Sequence, residues 1–137
     1  MRVALDTNVL VSAVATRGLC ADVFNLVLAE HELIVGETVL SELRRVLGEK
    51  MRVPGTTIDE FVALLRQEAT VVKKAEELAI KIRDRTDVPV LSEAVAGNAE
   101  VLVTGDADLT GIADKLPLQI LSPRGFWEQL RRNPSRS

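Results

Sequence analysis

Two aspartates stand where an apolar run ends: "VALD" closes on Asp6 and "VLVTGD" on Asp106. Each run is apolar enough to be a buried parallel strand. Ligands of open α/β sheets bind beyond the carboxyl ends of the strands, so both acids are expected on one edge of the sheet. Carboxylates brought together there repel unless they share a proton or bind a cation. A hard divalent ion such as Mg²⁺ or Mn²⁺, which takes oxygen ligands, suits that arrangement. Without the ion, crowding should raise the carboxyl pKa values above their usual value of about 4.

The rest of the composition narrows the chemistry. His31 is the only histidine and Cys20 the only cysteine. An internal disulfide and a cysteine-rich zinc site are therefore excluded, and histidine-based catalysis has little to draw on. Both residues read as structural or exposed, and an enzyme built on this chain is expected to run on carboxylates. The net charge of −3 argues against nucleic-acid binding through bulk charge but allows a local basic surface. No secretory signal is read, and no segment approaches the roughly 20 apolar residues of a membrane span. A cytoplasmic protein is the expectation.

The 137 residues, 47% of them hydrophobic, suit one domain over residues 1–132, followed by a frayed tail at 133–137. Val3 to Asp6 reads as the first strand, and "NVLVSAVAT" as a helix with Asn8 near its cap. A second helix covers "ADVFNLVLAEH", and "ELIV" is a strand closed by Gly36. In "ETVLSELRRVLGEK", Val39, Leu40, Leu43, Val46 and Leu47 form one helical stripe with Glu42 on its shoulder. Thr57 and Glu60 suggest a capping box for a helix running to Ala69. In "TVVKKAEELAIKIRD", Val71 and Val72 suggest a strand while Leu78, Ile80 and Ile82 fit either period, so the stretch stays open. "DVPVLSEAVAG" reads as a helix with Asp87 as cap and Gly97 beyond its end. The strand "EVLVTGD", a short helix in "ADLTGIADKL", the strand "LQILS" and a last helix from about Pro123 complete the chain. Strands alternating with helices at these lengths imply a three-layer α/β/α sandwich with a largely parallel sheet.

Taken in order, "ALDTNVLVSAV", "VLSELRRVL", "RDRTDVPVLSEAVAGNAEVLVTGDADL" and "ILSPRGFWEQL" resemble the PIN-domain nucleases. The resemblance is closest to the VapC-like toxin components of bacterial and archaeal toxin–antitoxin pairs. It implies a ribonuclease with a quartet of acids around one or two Mg²⁺ or Mn²⁺ ions, an antitoxin partner and a homodimer. Asp6 matches the first acid, Glu42 the second and Asp106 the fourth. Asn8 and Thr104 match polar positions lining the same pocket, and Asp108 matches a frequent extra acid. The third acid departs from the family: Val88 fills its slot, and Asp87, one residue earlier, is taken as the substitute. A shift of one residue turns a helical side chain by about 100°. Glu93 is a remote alternative.

Each assignment has a plainer competitor. Asp6 and Asp87 could be helix caps, Glu42 a solvated charge, Asp106 and Asp108 turn acids, and Asp84 a surface charge. Phe126 and Trp127 read as core. Arginines at the rim must recruit an RNA backbone to an acidic pocket, and Arg44, Arg45, Arg83 and Arg85 are the candidates, with Arg17 and Arg124 behind them. Two other functions fit some of these features. An aspartate after strand one also opens the haloacid-dehalogenase-type phosphatases, although Asn8 stands where their general acid would sit. A degenerate PIN domain would bind RNA or a protein without cutting.

Overall fold

A computed structural model describes residues 1–73 and 75–132. The expected tail at 133–137 lies outside the described residues. The chain runs β1 (Arg2–Leu5), α1 (Thr7–Ala15), α2 (Leu19–Glu30), β2 (Glu32–Gly36), α3 (Glu37–Arg45), α4 (Gly55–Glu68), β3 (Thr70–Val72), α5 (Asp87–Ala96), β4 (Val101–Val103), α6 (Ala107–Thr110), β5 (Gln119–Leu121) and α7 (Pro123–Arg132). The five strands form one all-parallel sheet in the order β3-β2-β1-β4-β5. Helices cover both faces, which gives the expected α/β/α sandwich.

Strand periodicity sorts the core into two layers. Val3, Leu5, Leu33, Val35, Val101 and Val103 join the layer that also holds Val9, Val23, Leu40, Leu43, Leu65 and Phe126. Their neighbours Ala4, Ile34, Leu102 and Ile120 face the other way, against Leu91 and Ala94 of α5. Both faces are buried, so the strands read as continuous apolar runs. Phe126 is fully buried and Trp127 packs against the same layer, as core residues should.

Several boundaries differ from the sequence reading, each for a local reason. Asp6, not Asn8, caps α1, because its carboxylate accepts the Thr7 N–H. α4 begins two residues before Thr57, with Pro54 at its cap position and no side-chain cap, so the Thr57–Glu60 box does not form. Asp87 is the first helical residue of α5, and Thr86 holds the cap position. The α3 stripe continues into a π-type turn, Val46–Lys50, which keeps Leu47 buried. α5 ends at Gly97, and Asn98 takes the left-handed conformation at φ 57°, a residue type that tolerates it.

The order of the sheet sets the position of the site. β1 continues to β2 on one side and pairs with β4 on the other. The crevice beyond the carboxyl ends of β1 and β4 is therefore the topological switch point, the usual place for a ligand in such sheets. Among the described residues no single helix is long and apolar enough to cross a membrane.

Candidate active site

Parallel pairing of Leu5 with Val103 sets the next residue of each strand side by side. Asp6 N–H donates to Val103 O at 3.0 Å, and the Thr104 hydroxyl donates to Asp6 Oδ2 at 2.8 Å. Asp6 Oδ1 accepts the Thr7 N–H at 2.7 Å. Asp6 is only 9% exposed. Its burial is offset by two short hydrogen bonds and by the N-terminal end of α1, which favours negative charge. Asp6 is thus cap and candidate ligand at once.

The same threonine reaches the second aspartate. Thr104 is fully buried, and its Oγ1 accepts the Asp106 N–H at 3.1 Å. Asp106 Oδ1 in turn accepts the Asp108 N–H at 2.9 Å and caps α6. A hydroxyl that donates to one acid and accepts from the backbone of another fixes both strand ends.

Glu42 enters from α3, where it is half-buried. Its Oε2 accepts the Thr7 hydroxyl at 3.2 Å, so Thr7 holds Asp6 with its amide and Glu42 with its side chain. Thr7, 2% exposed, was missed in the sequence reading. The only signal was its place directly after Asp6, at the start of a helix that had to pass close to α3.

Asp87 stands at the start of α5, half-buried. Its carboxyl is pushed up to about 6, first by desolvation and then by the charges of Asp106, Asp84, Asp6 and Glu42. The influences of Asp6, Glu42 and Asp106 place all four candidate acids in one electrostatic neighbourhood. Val88 is 1% exposed and belongs to the core. The one-residue departure thus puts a hydrophobe in the interior and leaves Asp87 among the acids.

The remaining candidates are spread more widely. Asn8 is exposed in the first turn of α1. Asp84 accepts both the N–H and the hydroxyl of Thr86, which lowers its pKa, and it is a surface residue. Asp108 is exposed, and Arg83 approaches it to 3.9 Å with a side chain 84% exposed. Arg44 is paired with Asp59 and Arg85 with Glu77, each at 2.8 Å. Arg45 is exposed and makes no ion pair among the described residues. Glu93 does not join the acids, because its carboxylate is held by Thr38.

All four candidate ligands are carboxylates, a donor set that fits a hard divalent cation. The repulsion expressed at Asp87 is what such an ion would relieve. Among the described residues the acids do not close into a ready-made metal cage. The cleft is gathered but open.

Comparison with known proteins adds the family. A model of the PIN domain matches residues 2–108, the stretch from β1 to the start of α6. No curated protein matches. Among solved structures, VapBC-1 from nontypeable Haemophilus influenzae is similar, with a TM-score of 0.65 and 19% identity over 90% of this chain and 99% of that one. VapBC2 from Rickettsia felis, bound to a DNA fragment from their promoter, gives 0.60 and 18%, covering 89% and 98%. FitAcB from Neisseria gonorrhoeae gives 0.58 and 18%, again covering 89% and 98%. At these identities the likeness is one of fold.

Proposed function

The chain belongs to the PIN-domain family, and from that premise we propose that it is a divalent-metal-dependent endoribonuclease, the toxin component of a toxin–antitoxin pair. The observation that carries this reading is the grouping of acids at the switch point: Thr7 and Thr104 link Asp6, Glu42 and Asp106, and Asp87 lies close enough to feel the charge of all three. Mg²⁺ or Mn²⁺ is the proposed cofactor. When bound, such an ion supplies an activated water and a Lewis acid for phosphodiester hydrolysis.

The chain's own groups have separable tasks. Asp6 and Asp106, fixed from the strand ends, form the rigid side of the ligand set; Glu42 and Asp87 approach from two helices. Thr104 and Thr7 hold the carboxylates of Asp6 and Glu42, and Thr104 also holds the backbone of Asp106. Arg83, exposed beside Asp108, is the rim arginine best placed to meet an RNA phosphate. Arg44 and Arg85 would have to leave their carboxylate partners first, although exposed pairs of this kind are weak. Binding through such contacts weakens with salt. We place the protein in the cytoplasm as a homodimer. The similarity to two VapBC complexes supports an antitoxin partner.

A non-catalytic PIN domain is the second reading, favoured by the buried Val88 in the slot of the third acid. Cleavage of a labelled single-stranded RNA panel separates the two. The nuclease reading expects cutting with Mn²⁺ by wild type, and none with chelator or with Asp6→Asn. RNA retained but uncut in Mn²⁺ supports the second reading.

A further inference from the structure

Glu93 lies on α5, six residues beyond Asp87, and is only 3% exposed. Its Oε1 accepts the Thr38 N–H at 2.8 Å, and its Oε2 accepts the Thr38 hydroxyl. Thr38 is the second residue of α3, the helix that carries Glu42 four residues later. Gly36 at the cap position of α3 provides no side-chain cap. A carboxylate from α5 therefore satisfies a first-turn amide of α3 and meets the positive end of its dipole.

The sequence around this contact is built to admit it. A Cβ at Gly36 would stand 2.7 Å from Glu93 Cβ and closer still to Oε1. The backbone there, at φ −88°, suits any residue, so glycine is required for space. Beside the contact, a cleft of about 460 Å³ lies among α3, α5 and the segment after β3, with Thr38, Ser41, Ser92, Glu93 and Glu77 in its lining. The seam between the two helices is thus partly open, and Glu93 ties it at one point.

We propose that Glu93 is a positioning residue for the acidic cleft, a clasp that sets α3 against α5 and hence Glu42 against Asp87. This rests on the metal-site reading above. Thr38 and Glu42 lie one helical turn apart, on the same side of α3. Glu93 and Asp87 share α5, which transmits the constraint as a rigid rod. Two of the four candidate ligands thereby depend on one buried carboxylate that touches neither ion nor substrate.

The test is Mn²⁺ binding by the intact chain, measured calorimetrically alongside melting temperature and steady-state RNA cleavage. Loss of a group that orients ligands typically costs about 10–100-fold in metal affinity, so Glu93→Ala is expected to bind Mn²⁺ at least about tenfold more weakly. It should also lower kcat with little change in KM. Glu93→Gln still accepts the Thr38 N–H and can donate to the hydroxyl, so it should recover most of the affinity. Thr38→Val, which deletes one of the two bonds, should fall between. If Glu93→Ala does not fold, the order of wild type, Glu93→Gln and Thr38→Val decides. A folded Glu93→Ala, or failing that Thr38→Val, with wild-type Mn²⁺ affinity overturns the clasp while leaving the metal reading intact. A wild type that binds no Mn²⁺ overturns the metal reading itself, and the clasp with it.

Discussion

The two sides of the acidic cleft are built differently. On the sheet side, Asp6 is buried and bonded to Thr104 and Thr7, and Asp106 is locked to the same Thr104. On the α5 side, Asp87 has no hydrogen bond to its carboxylate among the described residues, and burial with four neighbouring carboxylates pushes its pKa up to about 6. One side is organised by the protein itself. The other holds a carboxylate that is partly desolvated and crowded by like charges, which a cation would offset. A cleft of this kind keeps its framework without the ion and gains most from binding it where the strain is concentrated.

The largest expected effect is on the organised side. Asp6→Asn should reduce Mn²⁺-dependent cleavage by more than the roughly 10–100-fold that losing an outer partner costs. In chelator it should melt no higher than wild type, because the carboxylate it replaces is already well bonded. A clear rise in melting temperature would move the strain to Asp6 and erase the contrast. On the strained side, Asp87→Asn should lower cleavage at least about tenfold, whereas Asp84→Asn, at a surface turn, should change it little. Equal small effects would reduce Asp87 to a helix-start charge.

Thr104→Val keeps shape but removes the hydroxyl shared by the two strand-end acids. It should destabilise the fold by about 1–3 kcal/mol, the usual cost of leaving a buried group unsatisfied. A neutral outcome by chemical denaturation would mean that the hydroxyl does not organise the cleft.

A further effect is a pH signature. The Asp87 carboxyl holds its proton in the folded state up to about 6, against about 4 in the unfolded chain. An acid shifted upward favours unfolding as pH rises through that window, and its penalty is complete above the folded value. In chelator, Asp87→Asn should therefore match wild type below about pH 4 and melt increasingly above it between there and about pH 6. Melting curves that stay parallel from pH 4 to 7 would contradict the raised pKa.

The sequence made the organised side easier to read than the strained one. A parallel strand that ends in aspartate leaves little freedom over where the acid goes, so Asp6 and Asp106 followed from strand runs and sheet logic. Glu42 and Asp87 sit on helices, where a one-residue shift changes the facing direction, and only the family resemblance singled them out. Thr7 escaped notice because its role depends on α3 packing beside α1, a tertiary fact. The ambiguous stretch after β3 has a clear physical reason. Leu78, Ile80 and Ile82 alternate and pack half-buried against the α5-side core, yet they belong to no strand, so an apolar alternation exists without a ladder. The cap at Thr57 failed because Pro54, with its fixed φ, begins the helix earlier.

The most direct measurement is anomalous diffraction from crystals soaked in Mn²⁺. Strong density is expected at the switch point, with Asp6 and Asp106 among the nearest groups, directly or through one water, and with Asp87 turned toward it. Density only elsewhere, or none at saturating Mn²⁺, would contradict a cation site shared by the organised and strained sides of the cleft.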